Sequence, residues 1–291
     1  MSAPRFYGIR PPGIDDKDLP GRLIVIEGTD GVGRSTQIAL LREWLEGRGY
    51  AVVPTGFRRS DLASRGIQRA KRGHTLDPLT LNLFYATDFW DRLERHIIPA
   101  LRAGMIAMVD RYIFSLIARA VLRGVPRAWM EDVYGIALVP DRVFYLDITV
   151  EELVPRVVNT TGLDYWESGQ DYLRGQDLYH NHVEYQRALL AQYRTLAAEF
   201  GFQVIDGGKP IGTVFRALQA GIEEVIEGMA PMGVGAAVRD ESLDSAPVAP
   251  VVLPAGPKPE SAAVEGEAPT AASPFLREAV LPEKGLRPPP S

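Results

Sequence analysis

The residues with the clearest chemical meaning form one short run, Gly28-Thr29-Asp30-Gly31-Val32-Gly33-Arg34-Ser35-Thr36. It follows the phosphate-loop pattern G-x-x-x-x-G-K-[ST] at every defined position but one, where Arg34 stands for lysine. Gly28, Gly31 and Gly33 let successive backbone N–H groups converge on phosphate oxygens. A helix opening after the loop adds its positive dipole end, and Ser35 offers a hydroxyl to Mg²⁺. Lysine would bring a compact charge to the β- and γ-phosphates. Arginine is longer, planar and forked, and it binds phosphate through two N–H groups. The chemistry predicted is nucleotide binding, with ATP and Mg²⁺ as the ligands of residues 28–36. A second charged run, Asp110-Arg111-Tyr112, stands at the end of an apolar segment.

Such residues must be held by particular elements. Leu23 to Ile26 is a short β-branched run bounded by glycines, which suits a buried strand running straight into the loop. Ser35 to Arg48 has apolar residues at Ile38, Leu41 and Leu45, a helical spacing that ends at Gly49. Ala51–Pro54, Met105–Val109, Val143–Leu146 and Gln203–Ile205 read as further strands. A long helix is predicted over Leu79–Leu101, and others near Ile113–Leu122, Arg127–Leu138, Val150–Val157, Leu178–Phe200 and Ile211–Ile226. Strands alternating with helices predict an α/β fold of three layers, a parallel sheet covered by helices on both faces.

Composition narrows the classes further. The chain has 291 residues, 46% of them apolar, which is ample for a packed core. A net charge of −5 argues against a broadly basic nucleic-acid binder but leaves room for a small anion in a local pocket. No window approaches the ~18 apolar residues of a membrane span, and Met1 to Pro20 lacks the apolar core of a secretory signal. Without cysteine there is no disulfide and no thiolate metal site, so the expected setting is the cytoplasm. His74, His96, His180 and His182 do not form a convincing metal motif and read as solvated histidines. From Met229 to Ser291 there are 12 of the 23 prolines and one aromatic residue, Phe275. Too little apolar surface is available there to offset ordering, so a disordered tail is expected. The predicted organisation is an N-terminal extension over 1–20, one nucleotide-binding domain over 21–228 and the tail over 229–291.

Around the phosphate loop the chain resembles the thymidylate kinases. Leu23 to Gln37, LIVIEGTDGVGRSTQ, resembles that family's opening strand and loop, Glu27 and Asp30 included. Asp110-Arg111-Tyr112 resembles its DR-[YFH] motif, and Pro140 to Asp147, PDRVFYLD, the strand before its lid. Leu83 to Ala86 with Asp88, then Pro99-Ala100-Leu101 and Gly104, match the helix beside its acceptor site. The similarity runs over about Gly21 to Gly228.

The resemblance implies a nucleoside monophosphate kinase that moves the γ-phosphoryl of ATP to dTMP or a related nucleotide. It implies that Asp110 orients Mg²⁺ or its water and that Arg111 and Arg59 hold the acceptor phosphate. Asp30 would approach the acceptor sugar, Phe84 would stack on its base, and Arg156 would stand on the ATP side, on the helix leading into a lid at about 159–175. Arg34, Asp110 and Arg111 are the expected catalytic set. A homodimer is left open as the assembly.

Three departures bear on the acceptor. Phe89 follows Asp88 where an arginine is usual, and Arg119-Ala120 replaces Tyr-Gln. The lid carries Asp164-Tyr165-Trp166-Glu167 in place of DR-[FY]-E, with Arg174 as its cation. Arg34 or Arg119 is expected to compensate, and Arg119 is added to the acceptor-binding set. Two other readings stay open: a nucleotide-binding regulatory protein with weak or no kinase activity, and a kinase of this fold with another acceptor.

Overall fold

The computed structural model describes residues 5–232 except 58, 59, 61, 74, 75, 161 and 174–176. The predicted disordered tail therefore lies outside the described residues apart from Met229–Met232. Those four continue the packed unit past Gly228, with Met229 against the core and its carbonyl accepting from Tyr50 Oη at 3.4 Å.

Five parallel strands form one sheet in the order β2-β3-β1-β4-β5. They are β1 (Arg22–Glu27), β2 (Val52–Gly56), β3 (Ile106–Asp110), β4 (Arg142–Asp147) and β5 (Gln203–Asp206). Alternation along each central strand divides the core into two. Leu23 and Val25 of β1, Ala107 and Val109 of β3, and Val143 and Tyr145 of β4 enter one apolar cluster. Ile24 and Ile26, Ile106 and Met108, and Phe144 and Leu146 enter the other. That is the period-two pattern of a sheet buried on both faces.

The helices supply the outer layers. The first cluster is closed by α3 (Pro78–Arg92), α5 (Ile113–Leu122), α6 (Arg127–Val133) and most of α8 (Leu178–Phe200). The second is closed by α1 (Arg34–Gly47), α7 (Val150–Thr160) and α9 (Ile211–Val225). Between β2 and α3 lies α2 (Ser64–Gly73), which the sequence reading missed. Its run SRGIQRAKRG buries only Ile67 and Ala70, too few apolar positions to announce a helix.

Two predicted helices are shorter than expected. The segment Leu79–Leu101 is broken by a π turn at Leu93–Ile97 before α4 (Ile98–Arg102), which has Pro99 in its first turn. Helix α6 stops at Val133, where Tyr134 leaves helical geometry ahead of Gly135. At the N-terminus Phe6 is buried and bridges antiparallel to Leu138.

One buried charge pair sets the path of the chain after β2. Asp88 of α3 accepts from Arg92 Nε at 3.0 Å and from the backbone N–H of Ser60 at 3.1 Å. Arg92 is fully buried between the rings of Phe57 and Phe89, 5.6 and 5.8 Å from their centroids. Its two Nη atoms have no hydrogen-bond partner among the described residues. Removing one member of such a pair strands the other charge in an apolar setting. Asp88→Ala is expected to lower stability by about 3–5 kcal/mol, whereas Asp88→Leu with Arg92→Met together recovers most of it. Urea unfolding midpoints of the three proteins read this directly; equal losses in the single and double variants would contradict it.

Candidate functional site

β1 is the strand at which the sheet order reverses, with β3 on one side and β4 on the other. In open α/β sheets this is the crevice where ligands bind, outside the carboxyl ends of the strands. The loop Gly28–Gly33 and the triplet Asp110–Tyr112 leave β1 and β3 at that point.

The loop's backbone is built for anions. Gly33 stands at the N-cap of α1 with φ +100°, a conformation that side-chain-bearing residues avoid, and makes no side-chain cap. A Cβ on Gly31 would meet Val157 Cγ2 at 2.6 Å. The first N–H groups of α1 thus remain available to a phosphate.

On the far side of the loop, Glu27 is wholly buried at the end of β1 and caps α5. Its carboxylate accepts from Tyr112 N at 2.8 Å, Ser115 N at 3.3 Å and Ser115 Oγ at 2.5 Å. Burial raises the Glu27 carboxyl above its usual range despite these bonds and the nearby Arg34 and Arg111. This cap fixes the start of α5, which carries Arg119 and has Arg123 as its C-cap. Arg111, just before it, has φ +67°. A non-glycine residue in the left-handed region is strained, and such strain persists where surrounding structure enforces it.

Asp30 is the hub. Its Oδ1 lies 2.6 Å from Arg111 Nη2 and 3.5 Å from Arg34 Nη2, and its Oδ2 lies 3.3 Å from Arg119 Nη2. Burial alone would raise this carboxyl. Arg111, Arg119 and Arg34 outweigh it and hold Asp30 well below the ordinary carboxylate range.

Arg34 folds back over its own loop. Nη1 donates to the carbonyls of Gly28 and Thr29, and Nε donates to Asp110 Oδ1 at 2.7 Å. The other oxygen of Asp110 accepts from Ser35 Oγ at 3.3 Å. Ser35 and Asp110 fit a Mg²⁺ that takes one or two protein oxygens and completes its shell with water and substrate phosphates.

Two cavities lie near these residues. One is lined by Gly31, Gly33, Thr36, Arg156 and the turn Gly207–Ile211. Arg156 lines this cavity and donates to the carbonyls of Gly207 and Gly208 at 2.8 Å each. The other is lined by Arg111, Arg119 and Arg123 with Phe57, Tyr85 and Trp166.

Of the residues expected around the acceptor, Asp30, Arg111 and Arg119 come together. Arg59 lies outside the described residues. Phe84 does not line the cavity: it is 37% exposed and packs toward α2, where a Cβ on Gly66 would meet its Cε1 at 2.7 Å. The next residue, Tyr85, lines the cavity instead, because adjacent helical positions are turned about 100° apart. Phe89 is fully buried against Tyr112 and Tyr134.

The segment expected to form a lid makes contacts that sequence reasoning missed. Glu167 accepts from Arg119 Nη1 through both oxygens, at 2.6 and 2.7 Å. Asp171 does the same for Arg123 at 2.6 and 3.0 Å. Both pairs follow a four-residue step on each partner, the one signal that was present in the sequence. His182, read as solvated, is instead buried under the lid with Nδ1 3.2 Å from Ser168 Oγ.

Residues 26–216 match the family profile described as Thymidylate kinase. The chain belongs to the thymidylate kinase family. It is 35% identical over 198 residues to a probable thymidylate kinase 2 of Saccharolobus solfataricus, covering 67% of this chain and 92% of that protein. It is 30% identical over 213 residues to a probable thymidylate kinase of Thermococcus kodakarensis, covering 70% and 98%. The same identity holds over 220 residues of a thymidylate kinase of Caldanaerobacter subterraneus subsp. tengcongensis, covering 72% and 99%. The family thus agrees with the parallel sheet, the phosphate loop and the DRY triplet, and the chain is a kinase-type nucleotide protein.

The depressed carboxyl of Asp30 carries a pH signature. A folded-state pKa below the unfolded value contributes stability that is present above the unfolded pKa, about 3.9, and lost as pH falls through the folded one. Asp30→Asn should therefore be less stable than wild type at neutral pH, with the gap closing below about pH 4. Denaturant midpoints across pH 2–7 check this; a gap that stays constant with pH would exclude the ionic origin.

Proposed function

We propose that the protein is an ATP-dependent nucleoside monophosphate kinase whose acceptor is dTMP or a closely related nucleotide. The observation that carries this reading is one cavity lined by the phosphate loop and a second lined by Arg111 and Arg119, which both pair with the loop's Asp30. Open helix N–H groups border the first and Arg111 and Arg119 the second, and Arg34 pairs with both Asp30 and Asp110. A donor phosphate chain suits the first cavity and a phosphate on a flat, aromatic-lined ligand suits the second.

In this reading the ATP phosphates rest on the loop N–H groups while the acceptor phosphate takes over Arg111 from Asp30. Freed from Arg111, Asp30 can accept from a sugar hydroxyl. An acceptor phosphate oxygen then attacks the γ-phosphorus. The bond from that phosphorus to the bridging oxygen breaks, and its electron pair leaves with ADP. The products are ADP and the nucleoside diphosphate. Little covalent work is left to the protein, so positioning and charge neutralisation dominate. Mg²⁺, held by Ser35 and Asp110, would supply part of that neutralisation. Arg34, Arg111 and Arg119 supply fixed positive charge, which acts most strongly in a site closed off from water.

The exposed apolar stripe of Leu79, Leu83 and Trp90 along α3 supports a homodimer as the assembly. A cytoplasmic setting, where nucleotide pools lie, accords with this reading.

A coupled ADP-release assay across the ribo- and deoxyribonucleoside monophosphates tests the proposal. Turnover with dTMP or one related nucleotide should exceed the ATP-only background at least tenfold. Arg111→Ala should raise the acceptor KM roughly 10- to 150-fold, the loss of a charge-assisted contact of about 1.5–3 kcal/mol, with ATP binding little changed. Background-level ADP release with every monophosphate would refute the kinase reading. Equal losses for both substrates would make Arg111 structural.

A further inference from the structure

The lid region is rich in aromatic residues, and the structure gives each a different place. Tyr165 is 39% exposed and meets Trp166 edge-on, with centroids 5.5 Å apart at 76°. Tyr172 packs against Tyr185 and under the Arg123 guanidinium. Tyr179 is 56% exposed in the first turn of α8. Of these four, Trp166 alone lines the cavity that holds Arg111 and Arg119.

Its position is fixed from two sides. The indole Nε1 donates to the carbonyl of Lys71 in α2 at 3.1 Å, and Lys71 Nζ lies 5.3 Å from the ring centroid. The backbone carbonyl of Trp166 accepts from Arg123 Nη2 at 2.9 Å. Next to it, Glu167 clasps Arg119, and Asp171 clasps Arg123. Thus both polar edges of the tryptophan are satisfied by α2 and the end of α5. Its ring borders a space that also contains the rings of Phe57 and Tyr85. A preorganised aromatic surface costs little to order when a flat ligand arrives.

We propose that Trp166 is the surface on which the base of the acceptor nucleotide stacks, a place that Phe84 does not occupy. The proposal rests on the nucleoside monophosphate kinase reading. The acceptor then lies with its phosphate at Arg111 and its base under the lid. Lid closure and base recognition become one event, because Trp166, which lines the cavity, directly precedes Glu167, one of the two carboxylates that clasp Arg119 and Arg123. Stacking on an aromatic ring is tolerant of base identity, so Trp166 contributes affinity for a planar base and the neighbouring polar groups choose among bases.

Tryptophan emission tests this on the full chain, which has four tryptophans, Trp44, Trp90, Trp129 and Trp166. Titration with dTMP should quench the emission, and deoxyribose 5-phosphate, which lacks a base, should not. Trp166→Phe should lose most of the quench while keeping the acceptor KM within about threefold, since a ring remains to stack. Trp166→Leu should raise the acceptor KM on the order of tenfold to a hundredfold, with the ATP KM unchanged. Undiminished quenching in Trp166→Phe, or dTMP binding as tight in Trp166→Leu as in wild type by calorimetry, overturns the proposal alone. A larger fall in kcat than rise in acceptor KM, with more ATP hydrolysis by water, would assign Trp166 to lid closure and likewise overturn it. Absence of calorimetric binding by every monophosphate overturns the kinase reading and this proposal together.

Discussion

A single carboxylate in the phosphate loop, Asp30, lets this cleft hold its positive charge. Three guanidiniums converge on it, from the loop itself, from the strained residue after β3 and from α5. Without it, Arg34 would keep Asp110 and Arg119 would keep Glu167, but Arg111 would lose its ion pair and the three like charges would repel one another more strongly. With it, the loop, the DRY triplet and the lid become one electrostatic unit, since Arg119 passes the connection on to Glu167. Glu27 performs the complementary task below the surface, where it accepts from Tyr112 and Ser115 and so holds the start of α5 between Arg111 and Arg119. The two acids therefore divide the labour: Glu27 fixes geometry, and Asp30 balances charge.

The same unit changes how the lid is understood. Among the described residues 162–173 the lid carries Asp164, Glu167 and Asp171 and no lysine, arginine or histidine. Two of these carboxylates, Glu167 and Asp171, pair with Arg119 of α5 and with Arg123 at its C-cap. In the proposed kinase, closure of this segment rests on those two pairs, and the charge that balances phosphate is supplied by Arg34, Arg111 and Arg119. Fixed dipoles and charges already in place need no reorganisation as the reaction proceeds.

How much of this is legible in the sequence follows from how local each feature is. Residues 28–36 are legible because a phosphate loop is a run of contiguous backbone, and its glycines and Ser35 announce themselves by spacing alone. The central strands are legible because both faces are buried, which leaves uninterrupted β-branched runs such as Leu23–Ile26. Helix α2 is not, since two inward residues make no period. The orientation of α3 is only half legible: the apolar pattern identifies a helix, but a rotation of one residue decides whether Phe84 or Tyr85 meets the cavity. Least legible are the partners of Arg119 and Arg123. Their acids lie 48 residues away in sequence, and only folding brings the two four-residue steps face to face.

Arg34 is where the account is most exposed, because it stands where the motif calls for lysine and its guanidinium is spent on Gly28, Thr29, Asp110 and Asp30. If the cleft stores its cations on carboxylates until phosphates arrive, Arg34 serves the transition state more than the bound ground state. Steady-state kinetics of Arg34→Ala and Arg34→Lys, with ATP affinity measured separately, decide the matter. The expected result is a fall in kcat of at least a hundredfold for Arg34→Ala, with ATP affinity reduced less than about tenfold, the pattern of an interaction that strengthens during transfer. An unchanged rate in Arg34→Ala, or a large gain of activity in Arg34→Lys, would contradict it and mark Arg34 as the relic of a loop that binds nucleotide without using it.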